Sequence, residues 1–247
     1  MLLDGRNAII YGGGGTIGGA IARAFGREGA RVFLAGRTAA TLDVVAEDVR
    51  RAGGRAETAV VDALDERSVE EHAEAVGRID VSVNVISDSD VQGTPMVDMS
   101  PADYLSPVVT SVTSKFLTSR AAARRMIGRN AGVIMAFGGT GNRAPQREHH
   151  LGGLVTGFDA VESMRRQLAT ELAPHGIRVV TLRTSGVAES ISPEYRADVE
   201  PALVAQTLTG RTATLEDVGR VAVFAASDWA RTLTGAAINM TCGAALD

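Results

Sequence analysis

Short apolar runs alternate with helical patterns along the whole chain. Seven of these runs are apolar at nearly every position, which is typical of parallel strands that are covered on both faces. The predicted strands are Asn7–Tyr11, Arg31–Ala35, Glu57–Val61, Val81–Ile86, Gly132–Phe137, Ile177–Leu182 and Ala236–Met240. Between them, apolar residues recur at helical spacing in Thr16–Glu28, Ala39–Ala52, Glu66–Val76, Ala102–Arg129, Leu151–Pro174 and Leu215–Ser227.

This order predicts an α/β fold: a single Rossmann-like domain over residues 1–247, with a doubly wound, seven-stranded parallel sheet flanked by helices. One stretch breaks the pattern. Thr184–Gly210 lacks clear periodicity and contains Pro193 and Pro201. A long irregular stretch inside a compact domain is more often a lid or binding loop than a linker. Residues 184–210 are therefore predicted to form a lid over the substrate.

A glycine-rich turn joins the first predicted strand to the first helix. Its sequence is Gly12-Gly13-Gly14-Gly15-Thr16-Ile17-Gly18. Glycine permits backbone angles that other residues avoid, and it lets main-chain N–H groups approach a pyrophosphate. The helix that follows points its positive N-terminal end at the same anion. Because the glycine pattern follows a strand and opens a helix, it predicts a dinucleotide site; a turn without a ligand is the simpler alternative.

The residue after the second strand predicts which dinucleotide binds. NAD sites usually place an acidic residue there, which binds the adenine ribose hydroxyls. This chain has Gly36-Arg37 instead. An arginine at this position is suited to a 2′-phosphate, so NADP(H) is favoured over NAD(H), and a solvated surface arginine is the alternative.

Composition and charge exclude several other classes of function. The chain has 247 residues, of which 45% are hydrophobic, and a net charge of −4 without a basic tract, so no nucleic-acid surface is predicted. No apolar run approaches the length of a membrane span. Cys242 is the sole cysteine, which excludes an internal disulfide and favours a cytoplasmic location. No metal site is predicted either.

Several segments together carry a resemblance to a known family. The chain resembles the short-chain dehydrogenase/reductases, in their short single-domain branch, over nearly its whole length. The resemblance rests on the glycine turn, Ala35-Gly36-Arg37, Gly53-Gly54-Arg55, Val61-Asp62, Gly77–Val81, Glu171–Val179, Glu216-Asp217-Val218 and Thr234-Gly235.

The resemblance implies further cofactor contacts and an assembly. Asp62, with the adjacent Ala63, would meet the adenine, Asn84 would lie by the adenosine ribose, and Val187 would lie near the nicotinamide amide. Chains of this kind commonly form homotetramers or dimers through the fourth and fifth helices and the last strand. The substrate implied is a small carbonyl or alcohol compound. The apolar residues expected to line its pocket, Met96, Met99, Leu154 and Phe158, suggest that much of its body is apolar.

The residues that carry catalysis in that family are replaced here. The family's asparagine on the fourth helix falls at Ser111, and its serine after the fifth strand falls at Gly138 or Gly139. Its tyrosine falls at Leu154 and its lysine at Phe158. Leu154 and Phe158 instead begin an apolar stripe at helical spacing. The usual proton donor is therefore predicted to be absent.

Two pairs of residues are candidates to replace that donor. His149 and His150 precede the helix that would have carried the tyrosine, and histidine most readily changes charge near neutral pH. Their alternative is a polar loop cap. Ser111 and Lys115 lie one turn apart on the fourth helix, where Lys115 would polarise a carbonyl. The alternative for Lys115 is a salt bridge in a subunit interface.

Three functions remain open from the sequence. The first is an NADP(H)-dependent oxidoreductase, of the ketoreductase or alcohol dehydrogenase type, with an atypical proton donor. The second is a cofactor-binding pseudoenzyme without redox turnover. The third is a non-redox homologue, such as a lyase or cyclase, that uses the same pocket.

Overall fold

The protein is described by a computed structural model that covers residues 1–139 and 149–246. Its centre is a seven-stranded sheet in the order β3-β2-β1-β4-β5-β6-β7, and every neighbouring pair is parallel. The strands are Asn7–Tyr11 (β1), Arg31–Gly36 (β2), Arg55–Val60 (β3), Val81–Asn84 (β4), Gly132–Gly139 (β5), Ile177–Thr184 (β6) and Ala236–Asn239 (β7). The predicted α/β Rossmann-like fold is confirmed.

Helices cover both faces of this sheet. They are Thr16–Arg27 (α1), Ala39–Arg51 (α2), Glu66–Val76 (α3), Pro101–Met126 (α4), Gly153–Leu172 (α5), Pro193–Ala205 (α6) and Leu215–Ala226 (α7). Short 3₁₀ turns extend two of them, Ile127–Arg129 after α4 and Ala173–His175 after α5. No helix in the described part of the chain is long and apolar enough to cross a membrane.

The first strand shows why the central strands are largely apolar. Ala8 and Ile10 lie in a core that α1, α2 and α7 cover, whereas Ile9 and Tyr11 lie in a second core under α3, α4 and α5. Successive side chains of a strand point to opposite faces. A strand that is buried on both faces therefore has no polar position to alternate with its apolar ones.

The fourth strand ends earlier than the sequence predicts. It stops at Asn84, not at Ile86, because the Asn84 side chain turns the chain away from the sheet. Its Oδ1 accepts a hydrogen bond from the Ile86 N–H at 3.1 Å, and its Nδ2 donates to the Thr118 hydroxyl at 3.0 Å. An asparagine that bonds the backbone two residues ahead favours a turn.

The sequence predicted an irregular stretch over residues 184–210, but part of this segment is helical. It contains the 13-residue helix α6, which begins at Pro193 and includes Pro201. No residue of α6 is fully buried. A helix without a buried face needs no apolar stripe, so periodicity gave no signal for it.

The strand order places a ligand site at one edge of the sheet. The chain leaves β1 toward β2 and β3 on one side, and β4 lies against β1 on the other. Open α/β sheets bind ligands beyond the carboxyl ends of their strands at such a switch point.

Candidate active site

A cavity of about 640 Å³ lies beyond the carboxyl ends of β1, β4, β5 and β6. It therefore spans the switch point of the sheet. Its lining residues are Gly12, Gly15–Gly18, Val85–Asp88, Asp90, Gln92, Phe137–Gly139, His149, Leu151, Leu154, Phe158, Thr184–Gly186, Ser190, Val199, Leu203 and Gln206. Side chains from five segments of the chain thus meet in one space.

The glycine turn forms one end of this cavity, and two of its glycines are required by geometry. Gly12 has φ +83°, and a Cβ there would lie 3.0 Å from the Val85 carbonyl oxygen. A Cβ on Gly18 would overlap the Gly12 carbonyl group. Larger residues would therefore push the turn away from β4 and open the bend into α1.

The N-terminus of α1 faces the cavity without a capping side chain. Its N-cap is Gly15, its first turn contains no acidic residue, and both Gly15 and Thr16 are exposed. The main-chain N–H groups that begin a helix attract an anion. Gly13 has another role, because it is buried and a Cβ there would lie 2.8 Å from Leu34. Because Gly13 has no side chain, the end of β1 packs closely against Leu34 of β2.

The other residues predicted to bind cofactor lie around the ends of the neighbouring strands. Arg37 is exposed just after β2, and Asp62 is exposed just after β3, where its Oδ1 accepts the Leu64 N–H at 3.0 Å. Ala63 and Val187 are buried. The Val187 carbonyl accepts the Ser190 hydroxyl at 2.7 Å. These residues lie outside the described lining of the cavity, as Asn84 does.

An apolar wall from α5 closes one side of the cavity. Leu154 and Phe158 both line it. The Phe158 ring packs against Gly139 at the end of β5, so that a Cβ on Gly139 would lie 2.5 Å from Cε2 and 2.8 Å from Cζ of that ring. The phenyl ring thus fills the space that a side chain at residue 139 would need.

Three polar residues form a buried cluster between α4 and the segment after β4. The Lys115 ammonium donates to Asp88 Oδ1 at 2.8 Å, and the Ser111 hydroxyl donates to the same oxygen at 2.6 Å. Lys115 is 1% exposed and Ser111 is fully buried. The alternative interpretation of Lys115 as an interface salt bridge is therefore wrong, because its charge is paired inside its own chain.

The two histidines differ in their relation to the cavity. His149 is exposed and lines the cavity, and its carbonyl oxygen accepts the Gly93 N–H at 2.8 Å. His150 has φ +47° and lies outside the described lining. Of this pair, only His149 borders the space where a substrate would bind.

A tyrosine at the end of β1, just before the glycine turn, lies in the core and not in the described lining of the cavity. Tyr11 is 1% exposed and meets His72 edge to face, with ring centroids 6.0 Å apart. Burial raises the pKa of the Tyr11 phenol, and the charge of Glu70 raises that pKa further. Burial also lowers the pKa of His72. Tyr11 is therefore an uncharged part of the core, and the half-buried His72 packs against its ring.

Comparisons with known proteins agree with this architecture. A protein-family model described as enoyl-(acyl carrier protein) reductase matches residues 14–245. The chain is 30% identical over 244 residues to galactitol 2-dehydrogenase (L-tagatose-forming) of Cereibacter sphaeroides, covering 98% of this chain and 95% of that protein. It is 31% identical over 257 residues to L-rhamnose 1-dehydrogenase (NAD(P)(+)) of Azotobacter vinelandii, covering 98% of both.

A solved structure extends the likeness to three dimensions. The crystal structure of a short-chain type dehydrogenase/reductase from Mycobacterium marinum superposes with a TM-score of 0.84 at 28% identity. The match covers 98% of this chain and 96% of that one. The chain belongs to the short-chain dehydrogenase/reductase family. Like its named relatives in that family, it is an oxidoreductase by descent.

The cavity of this short-chain dehydrogenase/reductase has a polar wall that was not predicted from the sequence. Asp88, Asp90 and Gln92 lie in the segment after β4. The signal was present, since two aspartates follow an apolar strand whose carboxyl end meets the same edge as the glycine turn. The sequence could not show that Lys115, 27 positions later, reaches back to Asp88.

Proposed function

We propose that the protein is an NADP(H)-dependent oxidoreductase that interconverts a secondary alcohol and a ketone in a small polyhydroxy compound. The observation that carries this proposal is the cavity itself, in which the anion-binding turn after β1 and the polar segment after β4 face one space. Such a cavity, with a few polar groups in a mostly apolar wall, is typical of small-molecule sites.

The residues present fit a dinucleotide. The Gly12 and Gly18 positions exclude side chains, and the uncapped start of α1 offers N–H groups to a pyrophosphate. The segment after β6, including Gly186, would lie beside the nicotinamide, and Asp62 and Asn84 would lie beside the adenosine. When bound, the nicotinamide supplies or accepts the hydride. The chain itself binds, orients and handles the proton.

Arg37 supports NADP(H) over NAD(H). It is exposed at the end of β2, and no acidic side chain within the described residues hydrogen-bonds or pairs with it. A guanidinium forms two parallel hydrogen bonds to a phosphate. A pair of ribose hydroxyls is bound better by a carboxylate than by a guanidinium.

The polar wall supports a substrate with several hydroxyl groups. Asp88, Asp90 and Gln92 line the cavity together with the apolar side chains Leu154 and Phe158 of α5. The names of the relatives above point to galactitol and L-rhamnose, which are both polyhydroxy compounds. One face of such a substrate would meet the polar segment, and its carbon skeleton would lie along Leu154 and Phe158.

The proton of the substrate hydroxyl is transferred by a group other than the family's tyrosine. Leu154 and Phe158 occupy the positions where the family's tyrosine and lysine are expected, and neither side chain donates a proton. His149 and the Ser111–Lys115 pair are the candidates that border the cavity directly or through Asp88. His150 lies outside the described lining and is the weaker of the two histidines.

Residues 184–210 are proposed to cover the bound substrate. Val199, Leu203 and Gln206 of this segment line the cavity from the side of α6. Tyr195 is 61% exposed at the other end of α6. A helix without buried residues moves at low cost, and its closure would exclude water from the cavity.

A homo-oligomer in the cytoplasm is proposed as the working form. Helix α4 carries apolar side chains that the single chain leaves exposed, namely Leu105, Val109 and Phe116. Contiguous exposed apolar residues of this kind favour a protein interface. The single cysteine, Cys242, is free, which suits a reducing compartment.

A fluorescence titration tests the cofactor part of the proposal. Wild-type protein should bind NADPH at least ten-fold more tightly than NADH. Arg37→Asp should lose at least ten-fold in NADPH affinity, since charge-assisted hydrogen bonds contribute about 1.5–3 kcal/mol. Arg51→Asp removes an exposed arginine from the end of α2 and should leave both affinities unchanged. Equal NADPH binding by wild type and Arg37→Asp would contradict the proposal.

A further inference from the structure

The two carboxylate oxygens of Asp88 differ in their hydrogen bonds to the protein. Its Oδ1 accepts hydrogen bonds from Lys115 at 2.8 Å and from Ser111 at 2.6 Å. Its Oδ2 accepts no hydrogen bond from the described residues. Asp88 lines the cavity, and its side chain is 12% exposed. One oxygen is therefore fixed, and the other is available to a ligand.

The two partners of Asp88 hold it rigidly. Lys115 also donates to the Ser111 hydroxyl at 3.2 Å, so the three groups form a closed set of hydrogen bonds. A buried ammonium is costly unless it is paired and hydrogen-bonded. Because Lys115 is 1% exposed, its charge requires Asp88 at this position. The carboxylate is thus oriented before any substrate arrives.

The cluster lies beside the helix where the family's catalytic pair is expected. Ser111 packs under α5 at Gly157, where a Cβ would lie 3.4 Å from the Ser111 Cβ. Gly157 lies within one turn of Leu154 and Phe158. The apolar face of α5 and the oriented carboxylate of Asp88 therefore line the same cavity, and Ser111 lies against both.

Asp88 is the best placed of the charged or titratable side chains that line the described cavity. Asp90 accepts a hydrogen bond from Gln92 in its own loop, and His149 is exposed. Among the described residues, neither side chain hydrogen-bonds to a residue of a helix. A carboxylate oxygen only accepts hydrogen bonds, so it selects the O–H group of an alcohol rather than a carbonyl oxygen.

We propose that Asp88 is the catalytic proton acceptor for alcohol oxidation, and that Lys115 and Ser111 are its positioning residues. This inference rests on the proposed function. As the alcohol is oxidised, the C–H bond breaks and its hydrogen leaves as hydride to the nicotinamide of NADP⁺. The O–H bond breaks, its electron pair forms the C=O bond, and the proton passes to Asp88 Oδ2. The exposed edge of Asp88 then releases the proton to water.

The test compares Asp88→Asn with wild type in galactitol-dependent reduction of NADP⁺. The amide keeps the shape of the side chain and accepts no proton, so kcat should fall at least about 100-fold. NADPH affinity, measured by fluorescence, should stay within about two-fold, since Asp88 does not touch the turn after β1. Asp98→Asn removes a charge from the same segment, outside the cavity lining, and should keep wild-type kcat.

A second variant separates catalysis from folding, because Asp88→Asn leaves the Lys115 charge buried and unpaired. Asp88→Asn combined with Lys115→Met removes both charges and should recover most of the lost Tm. Its kcat should remain at least about 100-fold below wild type. Recovery of kcat together with Tm would show a purely structural role and overturn the inference. So would an Asp88→Asn variant with kcat within three-fold of wild type.

The two levels of the proposal fail in different ways. Wild-type protein that binds NADPH and turns over neither galactitol nor L-tagatose would overturn the proposed function, and the role of Asp88 with it. Wild-type turnover that Asp88→Asn retains would overturn the role of Asp88 alone.

Discussion

The contact between Gly139 and Phe158 gives a quantitative prediction about the apolar wall. Gly139→Ala adds one methyl group that would lie 2.5 Å from the Phe158 ring. Overpacking of this kind costs about 1–3 kcal/mol. Because the ring borders the cavity and is able to rotate into it, we expect the lower end, about 1 kcal/mol. For a chain of this size that corresponds to a fall in Tm of roughly 2–4 °C.

Thermal unfolding of four variants measures this contact. Gly138→Ala is the matched control on the other face of β5, where the added Cβ would lie 3.2 Å from a Thr181 methyl carbon, and it should cost less. Phe158→Leu shortens the ring, so the double variant Gly139→Ala/Phe158→Leu should be more stable than the sum of its single changes predicts. A Gly139→Ala variant with unchanged Tm, or strictly additive losses, would refute the packing argument.

Two further predictions concern the start of α7 and the charge of the cavity. Thr214 N–H donates to Asp217 Oδ2 at 3.1 Å, and this bond, ahead of the Arg211 guanidinium, lowers the pKa of Asp217 below 3.8. The stability from its charge is complete above pH 3.8 and is lost as pH falls through the lowered pKa. Asp217→Asn keeps an acceptor for the Thr214 N–H and loses only the charge, so it should cost about 0.5 kcal/mol at neutral pH and nothing in acid; a deficit in unfolding free energy that is equal at both pH values would contradict this. Asp88 and Asp90 should disfavour D-galactonate, the carboxylate analogue of galactitol, by at least about ten-fold in kcat/KM; equal kcat/KM values in steady-state assays would exclude that role.

Local patterns in the sequence predicted the fold well. The glycine turn, the apolar strands and most helix limits depend on residues within a few positions of one another. Thr214 illustrates this, since it caps α7 through Asp217 three residues later. Interactions that are close in sequence have spacings that can be read directly.

The features that were not predicted from the sequence depend on residues far apart in the chain, or on the absence of a buried face. Asp88 and Lys115 are 27 positions apart and meet only because β4 and α4 pack together. The shortened β4 depends on Thr118, which holds Asn84 from 34 positions away. Helix α6 buries no residue and so carries no apolar stripe. Each of these features requires the assembled fold.

Leu154 and Phe158 lie where the family resemblance led us to expect a tyrosine and a lysine. In the sequence this difference favoured either a missing donor or a pseudoenzyme. In the fold, the same cavity is also lined by Asp88, whose carboxylate Lys115 and Ser111 hold in place. If Asp88 accepts the proton as proposed, proton transfer takes place at a position other than the one that the family pattern predicts.

Nicotinamide absorbance shows directly whether this protein transfers a hydride. It is recorded while the protein is mixed with NADP⁺ and galactitol. The account predicts an increase that matches the L-tagatose formed, that requires NADP⁺ rather than NAD⁺, and that falls at least about 100-fold in Asp88→Asn. No increase in absorbance with galactitol or with L-rhamnose, from a protein that demonstrably binds NADPH, would contradict it and favour a cofactor-binding protein without redox turnover.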